Sequence, residues 1–186
     1  MRYSERITTM QSSPIRKLAH IASSAKAKGI KIYHLNIGQP YIKTPKVFFE
    51  AVKNFNNEVL EYAVSPGLPE LISSLQQYYT TYNMDFESDE ILVTNGGSEA
   101  LLFALMATCN PKDNILVPEP FYSNYNGFSQ SINVNITPIT TKAEEGFHLP
   151  SKEKIQSLIT SKTKVILISN PGNPTGTVYT KKNFTW

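Results

Sequence analysis

The sequence predicts an α/β fold, a mainly parallel sheet flanked by helices, and three observations carry that prediction. From Glu90 onward, short β-branched runs alternate with helical segments, the pattern of strands buried between helical layers. The stretch ILISNPGNPTGT, Ile166 to Thr177, drives an apolar strand straight into a rigid loop of asparagine, proline and glycine. With 40% hydrophobic and 18% charged residues in 186, the chain can bury a real core and is globular, not disordered.

The elements follow in order. Ser12 and Ser13 precede Pro14, and Ile15, Leu18, Ala19, Ala22 and Ala25 recur at helical spacing until Gly29, predicting a capped amphipathic helix. Ile32 to Ile37 reads as a short strand ending in the turn Gly38-Gln39-Pro40. Thr44 before Pro45 is a cap and first-turn pair, and Val47, Phe48, Ala51, Val52 and Phe55 continue one apolar helix face. After a loop from Tyr62 to Pro69, Leu71, Ile72, Leu75, Tyr78, Tyr79 and Tyr82 mark another helix. The alternating part then predicts strands at Ile91 to Thr94, Ile115 to Val117, Val134 to Ile139 and Val165 to Ile168. Helices are predicted at Ala100 to Thr108, Tyr122 to Ser131 and after Ser151, with Phe147 in an irregular link. There is no internal repeat and no low-complexity segment.

Composition excludes several functions. The formal charge of +3 is dispersed and forms no stripe for a nucleic acid, though a small positive balance suits anionic ligands. One cysteine, Cys109, allows no intramolecular disulfide and sits in an apolar helical run, where it reads as a small buried hydrophobe. No apolar stretch approaches the ~18 residues of a membrane span, and the amino terminus lacks the hydrophobic centre of a secretory signal, so the expectation is a soluble cytoplasmic protein. His20, His34 and His148 are scattered without ligand spacing and carry no assigned chemistry or metal.

Four places carry candidate chemistry. Thr94-Asn95-Gly96-Gly97-Ser98 joins a strand to an apolar helix, so free N–H groups at the helix start, with the Ser98 hydroxyl, can receive an anion. A plain glycine turn with a serine cap would use the same residues, and Glu99 must point away from any dianion. The spacing is neither that of a dinucleotide loop nor that of a P-loop. Tyr122, in Pro118-Glu119-Pro120-Phe121-Tyr122, follows a strand at the end where α/β folds place ligands, and its ring could stack on a flat cofactor; in a chain with ten tyrosines a core aromatic is the more common explanation for any one of them. Asn173 lies between Pro171 and Pro174, which fix φ, and Gly172 and Gly176, which free it. The loop is suited to presenting that carboxamide, although a turn asparagine bonded to its own backbone is the competing reading. Gly38 ends a strand and could offer its N–H to a carboxylate.

Four stretches, LNIGQP, Tyr62 with SPGLPEL, TNGGSEAL through PKDNILVPEPFY, and ISNPGNPTG, occur in the order of a known family. From about residue 14 to residue 180 the chain resembles the class I and II aminotransferases, pyridoxal-phosphate-dependent enzymes of fold type I, in their aspartate-aminotransferase-like branch. The resemblance implies that residues 1–44 are an N-terminal arm and helix of a small domain and that residues 45–186 begin a large cofactor-binding domain. It further implies that Gly97 and Ser98 bind the cofactor phosphate, Tyr122 stacks on the pyridine ring, and Asn173 reaches the phenolic oxygen and the substrate carboxylate. By the same resemblance, Gly38 would close over that carboxylate, and Tyr62 would cross to the phosphate of a second subunit in a homodimer with shared sites. Cis bonds are expected at Glu119-Pro120 and Asn173-Pro174.

The implied reaction moves an amino group from an amino acid to a 2-oxo acid, with pyridoxal phosphate as electron sink. Relatives place the ring-nitrogen aspartate, a tyrosine on the phenolic oxygen, the Schiff-base lysine and a substrate arginine after the asparagine loop, and Trp186 comes before any of these. No catalytic residue is therefore expected in this chain, which reads as roughly the first half of a longer enzyme and as inactive alone. A carbon–sulfur lyase or cyclopropane-forming synthase shares the same loops. A non-catalytic ligand-sensing domain would need an upstream DNA-binding module that residues 1–30 are too short to hold. Aspartate, aromatic and branched amino acids all remain open as substrates.

Overall fold

The computed structural model describes residues 2–10, 18–35, 38 and 40–183. In chain order these form α1 (Glu5–Thr9), α2 (Ala19–Ala27), α3 (Lys46–Lys53), α4 (Pro69–Thr80), α5 (Gly97–Thr108), β1 (Asn114–Glu119), α6 (Asn124–Ser131), β2 (Asn135–Thr140), α7 (Lys152–Leu158) and β3 (Thr163–Ile166). The chain divides into two compact units, Met1–Tyr33 with Ser98–Trp186, and His34–Gly97.

The first unit is built on a parallel sheet of order β2-β1-β3. Its central strand is buried from Asn114 to Pro118, because a neighbour lies on each edge and helices cover each face. Alternation along β1 sends Ile115 and Val117 into one cluster with Leu105 of α5 and Tyr125 of α6, while Leu116 enters another with Ile139 of β2 and Ile155 of α7. Full burial of a side chain such as Ile155 is worth about 1.5–3 kcal/mol. Asn114, the buried polar residue of β1, is satisfied across the sheet: Thr137 Oγ1 donates to its Oδ1 at 2.9 Å, and its backbone N–H donates to Lys162 O at 2.9 Å. The β1–β3 register slips between Asn114 and Ile115, which face Thr163 and Val165. The pairing outlasts the formal strand, since Leu167 N–H donates to Leu116 O at 2.8 Å.

Apart from α1, for which no helix is expected from the sequence, the helices form close to where the apolar spacing places them. α2 ends at Gly29 (φ 78°), with Gly29 N–H donating to Lys26 O and Ile30 N–H to Ala25 O, the two bonds of a Schellman cap. Its predicted start, with residues 12–15, lies outside the described residues. α4 opens with Pro69 at its first turn, and Ser151 Oγ accepts from Lys154 N–H at the start of α7. In α3 the cap position is Pro45 and not Thr44, one residue further in than expected, and no side chain caps it.

Two expected strands are not strands. Ile91 is extended (φ −115°, ψ 123°), but the segment 91–94 pairs with no ladder among the described residues, its Val93 N–H donating only to Pro66 O at 2.8 Å. Residues 32–35 likewise pair with nothing described, and residues 36–37 lie outside the described set. β-branched composition sets the backbone's preference, whereas a strand also requires a partner. The strand expected at 91–94 is thus absent among the described residues, whereas the one expected at Val165 to Ile168 is present as β3; α6 begins at Asn124, two residues later than expected, because Phe121 and Tyr122 pack on the core before the helix turns.

Candidate functional site

Because β1 and β3 are parallel neighbours, the loops that leave them emerge at the same edge of the sheet, where open α/β folds bind ligands. There a small cavity of about 20 Å³ is lined by Glu119, Pro120 and Phe121 from the first loop and by Gly172, Asn173 and Thr175 from the second. The predicted asparagine is thereby brought to the predicted strand end. Asn173 is solvent-exposed at this cavity. The bonds Glu119-Pro120 and Asn173-Pro174 are cis as expected, and Asn170-Pro171 is cis as well.

The asparagine loop is closed by its own backbone. Gly172 N–H donates to Thr177 O at 2.8 Å and Gly176 N–H to Gly172 O at 2.7 Å. Gly176 holds φ at 71°, a conformation that favours glycine, and a Cβ on Gly172 would stand 2.6 Å from Thr175 Oγ1, which would have to shift to admit it. Further out, the Asn170 carboxamide meets the backbone of Tyr179, a buried residue whose hydroxyl donates to Phe147 O at 3.3 Å.

Tyr122 is half-buried beside the cavity and does not line it. Its ring meets Tyr125 edge to face at 5.6 Å between centroids, and its hydroxyl accepts from Asn124 Nδ2 at 2.6 Å. The aromatic wall of the cavity is Phe121 with Tyr125, stacked at 6.1 Å and 21°. Ser98 is exposed in the first turn of α5, a 12-residue helix that follows Gly96 at φ 79°. A Cβ at Gly96 or Gly97 would meet nothing within 4 Å, so the helix start is open to a ligand. Glu99 is half-buried. Leu101, one turn on from Ser98, packs on the same core cluster as Tyr122 and Leu167. Gly38 and Tyr62, in the second unit, are both exposed. Among the described residues no group of three or more His, Cys, Asp or Glu could hold a metal, and no helix is long and apolar enough to cross a membrane.

The donor set suits a phosphorylated aromatic. At the start of α5, first-turn N–H groups with the Ser98 hydroxyl would suit a phosphate; at the cavity, which Gly97, Ser98 and Tyr122 do not line, an exposed carboxamide beside aromatic rings would suit a flat ring bearing an oxygen. Sequence reasoning passed over Phe121, Tyr125 and Tyr179. The first two were legible as aromatics flanking Tyr122, but nothing in the spacing marks Tyr179, which reaches the loop only through folding.

The sequence matches the family Aminotransferase class I and II over residues 30–185, and the chain belongs to that family, whose members generally depend on pyridoxal phosphate. It is 34% identical over 181 residues to a probable aspartate aminotransferase of Methanocaldococcus jannaschii and 31% identical over 182 residues to an asparagine–oxo-acid transaminase of Streptococcus mutans. In both alignments 96% of this chain covers 46% of the relative, so the chain spans about half the length of the curated relatives it matches. Among solved structures, the aspartate aminotransferase of Thermotoga maritima superposes with a TM-score of 0.89 at 31% identity, over 97% of this chain and 48% of that one. The alanine aminotransferase of Pyrococcus furiosus gives 0.85 at 33% identity, over 97% and 47%.

Proposed function

We propose that this chain carries the cofactor-binding part of a pyridoxal-phosphate-dependent aminotransferase that moves an amino group between an amino acid and a 2-oxo acid. The observation that supports this best is the meeting of Asn173 with the Pro118–Phe121 loop at one cavity, on the edge where two parallel strands end. Residues 1–44 would belong to a small domain and residues 45–186 to the large cofactor domain.

When bound, pyridoxal phosphate supplies an aldehyde and a protonated ring that draws electrons from the substrate Cα. Gly97 and Ser98 would hold its phosphate through first-turn N–H groups and a hydroxyl, where the helix dipole favours negative charge. Tyr122 would cover one face of the ring, which requires its phenol to turn from Tyr125 toward the cavity. Asn173 would donate to the ring oxygen and to the substrate carboxylate, and Gly38 would close over that carboxylate. Tyr62 would reach the phosphate held by a second copy, making the working unit a homodimer.

Titrating pyridoxal phosphate into the full chain, followed by absorbance, tests the assignment. Saturable binding is expected, weakened about tenfold in Ser98→Ala, the size of one lost charge-assisted hydrogen bond, with pyridoxal itself insensitive to that change. Equal affinity for pyridoxal and its phosphate in the unsubstituted chain would reject the phosphate site.

A further inference from the structure

We propose that Asn170 is a positioning residue: its side chain clasps the two ends of the asparagine loop and thereby fixes Asn173 at the cavity. The functional sense of this rests on Asn173 meeting the cofactor, whereas the clasp itself rests on geometry alone. Asn170 Nδ2 donates to Tyr179 O at 3.0 Å, and Asn170 Oδ1 accepts from Tyr179 N–H at 2.9 Å. One carboxamide thus satisfies both backbone groups of a residue nine positions away, the pairing that two facing residues make in an antiparallel ladder. A short amide alone combines a donor and an acceptor at this reach. Aspartate lacks the donor and serine offers a single atom.

The two ends that it joins are anchored separately. The near end continues β3, whose pairing runs on to Leu167 N–H and Leu116 O at 2.8 Å. The far end is tied to the turn at Gly146 and Phe147: Thr177 Oγ1 donates to Gly146 O at 2.9 Å and the Tyr179 hydroxyl donates to Phe147 O at 3.3 Å. Between the anchors, Asn173 stands on a loop held by bonds of its own, from Gly172 N–H to Thr177 O, from Gly176 N–H to Gly172 O and from Thr177 N–H to Thr175 Oγ1. Without the clasp, the loop's two halves are joined across Gly172 and Thr177 but no longer at their base, and the angle at which Asn173 meets the cavity is less firmly set.

The experiment is hydrogen exchange by NMR on the full chain with Asn170→Ala, and with Asn170→Asp as the milder variant of unchanged size. The Tyr179, Gly172 and Gly176 amides are expected to exchange roughly tenfold or more faster in Asn170→Ala, from the loss of two partly shielded hydrogen bonds, and also faster in Asn170→Asp. The Ile115 and Val117 amides of β1 should not change. Pyridoxal phosphate affinity should fall in Asn170→Ala and fall no further in that variant than in Asn173→Ala when both changes are combined. Unchanged exchange in the loop overturns the clasp, as does acceleration that includes β1, which would make Asn170 a residue of general stability. Additive affinity losses overturn its action through Asn173. Failure of the unsubstituted chain to bind pyridoxal phosphate rejects the cofactor reading, and the exchange data then still decide the clasp.

Discussion

Tyr179 closes the asparagine loop as a buried residue, and burial holds its phenol above the ordinary value of 10.0 by penalising the charged form. The folded chain therefore keeps this proton to higher pH than the unfolded chain does. The resulting stabilisation is fully present below pH 10.0 and is lost as pH rises through the folded value. Tyr179→Phe removes both the titration and the bond to Phe147 O, a net loss of about 1 kcal/mol at neutral pH. Urea midpoints for the two proteins should accordingly differ at pH 7 and converge as pH climbs past the phenol's ordinary range. A gap of constant size would mean that the hydroxyl is solvated in the native state. The same residue illustrates what the sequence conceals. Asn173 announces itself through flanking prolines and glycines, but Tyr179, Phe147 and Thr141 come to the cavity by tertiary contact, and no local spacing encodes that.

At the scale of elements, legibility followed local sufficiency. β1 is buried on both faces and reads as one apolar run, and α4 and α7 carry their start signals at Pro69 and Ser151. The segment 91–94 has equal β character, yet strand pairing is a relation between two segments, and no partner for it is found among the described residues. What fixes that segment is Gly67. With φ at 123°, a Cβ there would overlap Val93 Cγ2 and stand 2.7 Å from Val93 Cβ, while the adjacent Pro66 O accepts from Val93 N–H. Gly67→Ala combines backbone strain with overpacking and should destabilise the unit His34–Gly97 by about 3 kcal/mol. Gly29→Ala, also at positive φ but with nothing within 4 Å, should cost only about 1 kcal/mol. Equal shifts in thermal midpoint for the two variants would show that the contact with Val93 is not what demands glycine. In the first unit, Ile155→Ala empties the centre of the α7 cluster and should cost about 2–5 kcal/mol, read by chemical denaturation.

At the scale of the whole molecule, the apolar surface exceeds what the two core clusters absorb. α3 displays Val47, Phe48, Phe49 and Val52, between 57% and 70% exposed, and its two phenylalanines make an edge-to-face pair at 5.5 Å. α5 is apolar on nearly every side, yet Phe103 and Met106 remain exposed. A helix that is hydrophobic all round belongs in an interior, and contiguous exposed apolar patches mark places where another surface sits. The proposed homodimer supplies such a surface, since a second copy must approach closely for Tyr62 to serve its phosphate. Sedimentation of the chain at micromolar concentrations should therefore show reversible self-association. Phe48→Glu places a charge in the α3 patch and should weaken it by roughly thirtyfold, the equivalent of one aromatic hot spot of about 2 kcal/mol. Because Phe48 is exposed in the single chain, far-UV circular dichroism and the denaturation midpoint of the dissociated protein should stay unchanged in the variant. A monomeric unsubstituted chain, or a Phe48→Glu variant that still associates, would move the dimer contact away from α3 and leave its apolar face to be covered by other parts of the protein.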